Sequence, residues 1–134
     1  ADLVYDVRCL PNPFYIAELK MNSGLDDNVY DYVFSFNQSE IFAQKIFDFI
    51  KYGLPHYVEE GKNELVVAIG CTSGRHRSVA FVRRLENMLI ELNHRIITFH
   101  RDIEKDFWDE KLRCYHQLVH NGYFSVAGVE IDST

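Results

Sequence analysis

The sequence predicts an α/β domain: a three-layer fold with a mostly parallel sheet, flanking helices and an anion-binding loop at a strand-to-helix turn. Three observations lead there. Glu64 to Gly70 is a continuous, β-branched apolar run of the kind that forms a strand buried on both faces. A small polar loop follows, and then Val82, Leu85, Leu89 and Leu92 recur at helical spacing between Arg77 and Leu92. Arg95 to His100 reads as a further strand, and strand, helix, strand at this length implies a right-handed parallel crossover.

The remaining elements follow in chain order. Leu3 to Arg8 is a short apolar-rich strand running into a loop where Pro11 and Pro13 forbid both a helix interior and a central ladder position. Asp26 to Phe36 fits a short helix, although its aromatic residues also permit strand. Asn37 stands three residues before Glu40 in a capping arrangement, and Phe42, Ile46, Phe49, Ile50 and Leu54 mark a helix that Pro55 should kink or restart. Gly61 to Asn63 supplies a turn before the central strand. After His100, the residues Trp108, Leu112, Tyr115 and Val119 suggest a helix, and Tyr123 to Ile131 an edge strand or ordered tail.

Composition narrows the class. A chain of 134 residues, 47% hydrophobic and 25% charged, suits one domain spanning 1–134, long enough to bury a core without staples. Fourteen basic against twenty acidic residues give a net charge of −6, which disfavours RNA or any phosphate backbone as a partner. Cys9, Cys71 and Cys114 are odd in number and far apart, as expected of reduced thiols in a cytoplasm. No apolar run is long enough to span a membrane, and no signal peptide is visible. The absence of an initiator methionine suggests a piece of a longer protein.

The chemistry concentrates in Cys71-Thr72-Ser73-Gly74-Arg75-His76-Arg77-Ser78, between the buried strand and a helix start. In open α/β sheets ligands bind at this position, because the unpaired amides and the helix dipole favour an anion. Arg75 and Arg77 add permanent charges whose planar forks suit phosphate oxygens. The plainer alternative is a tight connection with arginines in solvent. The same residues also read Cys-x5-Arg-Ser, the spacing of cysteine phosphatases, in which Cys71 would attack phosphorus, Arg77 would hold the oxygens and Asp102 would serve as general acid. Gly70 replaces the histidine common before such a nucleophile.

Two further clusters carry candidate chemistry, the first able to converge on this loop. His100-Arg101-Asp102 ends the strand after the loop helix, on the same side of a parallel sheet as Cys71. Asp6, Arg8 and Asn12 are held in set directions by the proline-rich loop, suited to reading sugar hydroxyls or a phosphate. His116 and His120 are four residues apart but lack a third ligand, so no metal is expected.

Taken together, Asp6-Val7-Arg8, Leu10-Pro11-Asn12-Pro13, Gly24, Ala68-Ile69-Gly70-Cys71-Thr72, Gly74, His76-Arg77-Ser78-Val79 and His100-Arg101-Asp102 make the sequence resemble the C-terminal domain of the RapZ/YvcJ family from about Ala1 to Lys105. The chain departs at Ser73, where the family usually has glycine, and at Phe14-Tyr15, where some members have His-Trp. The resemblance implies a missing N-terminal Walker-type domain, to which any ATP or GTP would belong, since no Gly-x4-Gly-Lys-Ser/Thr occurs here. No cofactor is implied for these residues. It further implies a non-catalytic sensor of glucosamine-6-phosphate or a UDP-amino sugar, with phosphate on Cys71 to Ser78 and Arg8, Asn12, His100 and Arg101 reading the rest. Enterobacterial relatives act as RNA-binding adaptors through a basic tail, whereas this chain ends Val-Glu-Ile-Asp-Ser-Thr. Residues 106–134 form an extension beyond the resemblance, and a homo-oligomer is left open.

Overall fold

The computed structural model describes residues 2–62, 64–71, 76–92, 94–100 and 125–132. Four strands form one sheet: β1 (Leu3–Asp6), β2 (Glu64–Cys71), β3 (Arg95–His100) and β4 (Ser125–Asp132), in the order β1-β2-β4-β3. β1 pairs parallel to β2, while β4 runs antiparallel to both β2 and β3. Hence β1, β2 and β3 share one direction and β4 alone opposes them.

Three helices complete the α/β architecture: α1 (Asp27–Phe34), α2 (Asn37–Glu59) and α3 (Arg77–Leu89). α3 lies against β2, β3 and β4 on one side and against α1 and α2 on the other, so it is the hub of the fold. Every residue of β2 from Leu65 to Cys71 is buried, as a continuous apolar run requires. Leu65, Val67, Ile69 and Cys71 alternate onto the face that shares a core with Val79, Phe81, Val82, Leu85 and Leu89 of α3. Phe81 is fully buried, with the Phe34 ring centroid 5.0 Å away and the Phe42 ring meeting it edge-on at 5.7 Å.

The structure corrects several local expectations. α2 begins with Phe36 at the cap position and no side-chain cap hydrogen bond, so Asn37 is its first helical residue. Glu40 instead accepts from Arg84 Nη1 of α3, and so ties two helices together. Pro55 does not interrupt α2, which continues to Glu59; Leu54, just before it, is held in the core. Phe49, which shares the expected helical pattern, is 48% exposed. α3 ends at Leu89, and a 3-10 turn carries Ile90–Leu92. The strand after α3 has the expected bounds, but it is not the neighbour of β2. β4 stands between them, in the sheet interior rather than at its edge. Local periodicity identifies a strand without revealing its neighbours, since partner choice depends on contacts distant in sequence. The helix expected around Trp108 to Val119 lies outside the described residues.

Among the described residues no helix is long and apolar enough to cross a membrane. Likewise, no group of three or more metal-ligating side chains occurs among them. His116 and His120 lie outside that set.

Candidate functional site

The carboxyl ends of β1 and β2 and the start of α3 meet at one corner of the sheet. Asp6 pairs in register with Gly70, one residue before Cys71, and the Val7 amide donates to the Gly70 carbonyl at 2.9 Å. The chain then turns over Arg8 to Leu10, with the Leu10 amide bonded to the Val7 carbonyl at 3.2 Å. The Asn12 carbonyl accepts from the Tyr15 amide at the head of the 3-10 turn Pro13–Tyr15. Parallel pairing of two strands thus brings together Asp6, Arg8, Cys71 and Ser78, which are far apart in sequence.

Arg77 provides the main cross-link at this corner. Its guanidinium is buried, and Nη1 donates to the carbonyls of Arg8 at 2.7 Å and Leu10 at 3.0 Å. A buried charge sharing two backbone carbonyls fixes the position of the Arg8 to Leu10 turn against α3. The sequence suggests the Arg77 fork as a partner for phosphate oxygens or a side chain left in solvent; in the fold its Nη1 is committed to protein carbonyls. His76, only 2% exposed, shows the same behaviour: its Nε2 lies 3.2 Å from the Lys20 carbonyl, tying the 16–22 segment to the start of α3.

Gly24 explains how that segment approaches so closely. A Cβ placed there would sit 2.3 Å from the Ala80 amide nitrogen, 2.6 Å from the His76 carbonyl oxygen and 2.9 Å from the Val79 carbonyl carbon. The turn packs directly on the backbone of the first turn of α3, where any side chain larger than hydrogen is excluded.

At the rim, Arg8 and Asp6 form a two-toothed pair, with Nε and Nη2 donating to the carboxylate at 2.7 to 3.0 Å. Both side chains are 45% exposed. The Arg8 side-chain hydrogen bonds hold the Asp6 carboxyl below the usual carboxylate range, with Arg8 and Arg77 charges adding to the effect against partial burial. The Asp6 carboxylate in turn holds Arg8 above its ordinary value, chiefly through the side-chain hydrogen bonds. The lowered carboxyl contributes stability that is complete above the ordinary value of 3.8 and is lost as pH falls through the lowered folded value. Thermal unfolding followed below pH 4 should therefore show a small decline that Asp6→Asn removes; identical acid profiles for the two proteins would deny the pair any stabilising role.

Cys71 itself is 1% exposed, and its Sγ lies 3.2 Å from the Ser78 hydroxyl. Ser78 is fully buried on the first turn of α3. His76 occupies the cap position of α3 without a side-chain cap hydrogen bond. The start of this 13-residue helix lies just past a buried strand end.

Of the residues anticipated for the site, Arg8, Cys71, His76, Arg77 and Ser78 are brought together here, and Asn12 follows two residues after Leu10. Thr72, Ser73, Gly74, Arg75, Arg101 and Asp102 lie outside the described residues. The backbone of His100 closes β3 opposite Ala127. Because β2 and β3 run the same way, His100 ends on the Cys71 side of the sheet, but β4 intervenes, placing the two strands about 9 to 10 Å apart at ordinary spacing. An apolar cleft of about 460 Å³ opens toward the other end of β1, walled by Leu3, Phe42, Ile46 and Phe49, and carries none of this chemistry.

The motif set at this corner is that of a known family, and residues 1–104 match the family described as the RapZ C-terminal domain. The chain belongs to that family. The match ends where the sequence resemblance ends, near Lys105. Proteins called nucleotide-binding protein from Carboxydothermus hydrogenoformans and Caldicellulosiruptor bescii are 52% and 49% identical over 105 and 106 residues. A Staphylococcus aureus nucleotide-binding protein is 46% identical over 112 residues. These alignments cover 78%, 79% and 83% of the chain but 36%, 36% and 37% of the relatives. The chain thus spans about a third of the length of the relatives it matches. Within this RapZ C-terminal domain, the close approach of Gly24 to α3 and the Lys20 carbonyl's contact with His76 are not legible in the sequence. A lone glycine between Ser23 and Leu25 signals no more than a turn, and a backbone acceptor leaves no trace in sequence.

Proposed function

We propose that this RapZ C-terminal domain is the regulatory, ligand-sensing part of a nucleotide-binding protein, and that its ligand is a phosphorylated or nucleotide-linked amino sugar. One observation carries the reading: α3 begins beside a strand end, with a cap residue, His76, that makes no side-chain cap hydrogen bond, and it is faced by the Arg8 turn that Arg77 holds in place. Phosphate oxygens would take the first-turn amides and the Cys71 to Ser78 loop, with Arg8 and Asn12 at the rim. The Asp6 carboxylate beside Arg8 would accept from the ligand's ammonium or hydroxyl groups. His100 and Arg101 would approach from the end of β3. ATP or GTP would be bound by the part of the polypeptide to which the relatives' name refers, and the whole protein would act in the cytoplasm.

Calorimetric titration of glucosamine-6-phosphate, UDP-N-acetylglucosamine and inorganic phosphate tests the proposal. At least one amino sugar should bind more tightly than phosphate, and Arg8→Ala should weaken it about tenfold by removing a charge-assisted contact. Absence of heat from all three at millimolar concentration, or equal binding by Arg8→Ala, would sink it. The phosphatase alternative draws on the 3.2 Å approach of Cys71 Sγ to the Ser78 hydroxyl. It requires an aryl phosphate to be turned over and the activity to vanish in Cys71→Ser, although a nucleophile 1% exposed would first have to be uncovered.

A further inference from the structure

β4 occupies the centre of the sheet, yet it comes from outside the residues that define the family. All eight of its residues pair with β2 and six of them also pair with β3. The family match ends at residue 104, and alignments to relatives 46% to 52% identical extend over 105 to 112 residues. The walls of the slot, β2 and β3, therefore belong to the shared module, whereas its occupant does not.

An empty slot would leave two facing rows of backbone donors and acceptors unpaired in a sheet interior. Closing it would shift β3 by one strand spacing, about 4.8 Å, beneath a helix that packs on β2, β3 and β4 together. Neither outcome suits a module whose β2 is buried along its length. We infer that the gap between β2 and β3 is a strand-acceptor site, which binds an extended segment antiparallel to both walls, and that residues 125–132 are its exchangeable occupant here. On this inference the longer relatives would draw their occupant from outside the matched segment. The required chemistry is that of a strand about eight residues long with small residues at its centre, where Ala127 and Gly128 pair with Ile69 and Ala68 of β2.

The experiment uses the full 134-residue chain carrying Gly128→Pro, which removes a ladder donor from β4, and hydrogen exchange read residue by residue. Amides of β2 and β3 should exchange at least about tenfold faster than in the unaltered chain. A synthetic peptide of residues 125–132 added in excess should restore their protection, while the same peptide carrying Gly128→Pro should not. Unchanged protection in the variant would show that β2 and β3 pair without β4, and would overturn the inference. Failure of the unaltered peptide to restore protection, including a chain that stays unfolded in its presence, would overturn it equally.

Discussion

Gly24→Ala should destabilise the domain by about 3 kcal/mol, near the upper end of single-substitution effects, and should abolish anion binding in whatever fraction remains folded. The added methyl would meet three backbone atoms of α3 at 2.3 to 2.9 Å. Rotamer adjustment cannot relieve such a clash, because all three atoms are main chain, so either the turn or the helix must move. Moving the turn breaks the approach of His76 to the Lys20 carbonyl, and moving the helix disturbs Arg77 and Ser78. Denaturant unfolding measures the stability loss, and calorimetry on the folded protein measures the binding loss. A variant as stable as the parent would show that the turn does not pack against α3 as described.

Arg77→Met should cost about 3 kcal/mol, chiefly by leaving the Arg8 and Leu10 carbonyls without their charged donor. Methionine keeps much of the volume, so the loss reports hydrogen bonding rather than a cavity. The Arg8 to Leu10 turn should loosen first, visible as faster amide exchange at Leu10, whose donor bond to Val7 belongs to that turn. A change below about 0.5 kcal/mol would mean that the turn is held by its own local bonds. Because Arg77 is structural in this sense, loss of ligand in an Arg77 variant says little about contact with the ligand, which is why the binding test rests on the exposed Arg8.

Much of the domain is legible in its residues because local chemistry is strong in the informative places. The run from Glu64 to Gly70 has no hydrophilic face and so must be buried on both sides. The strand at Arg95–His100 is bounded as expected, and the 77–92 periodicity locates α3 to within its final turn. Where the reading went astray, the deciding contacts are distant in sequence. Asn37 has a capping side chain, but Glu40 finds Arg84 forty-four positions later and the local box does not form. Pro55 removes one helix donor, yet α2 continues through it with Leu54 buried on its core face.

The class of the fold and the family are readable from residues contiguous in the chain: an apolar run, a polar loop, a helical period and a set of short motifs. Only in the folded chain does β4 separate β2 from β3, must Gly24 lack a side chain, and does Arg77 bind the carbonyls of Arg8 and Leu10. The physical reason is common to all three. A strand edge, a backbone surface and a carbonyl oxygen are nearly the same in every residue, so which one a given side chain or strand will meet is settled only when the chain has folded around them.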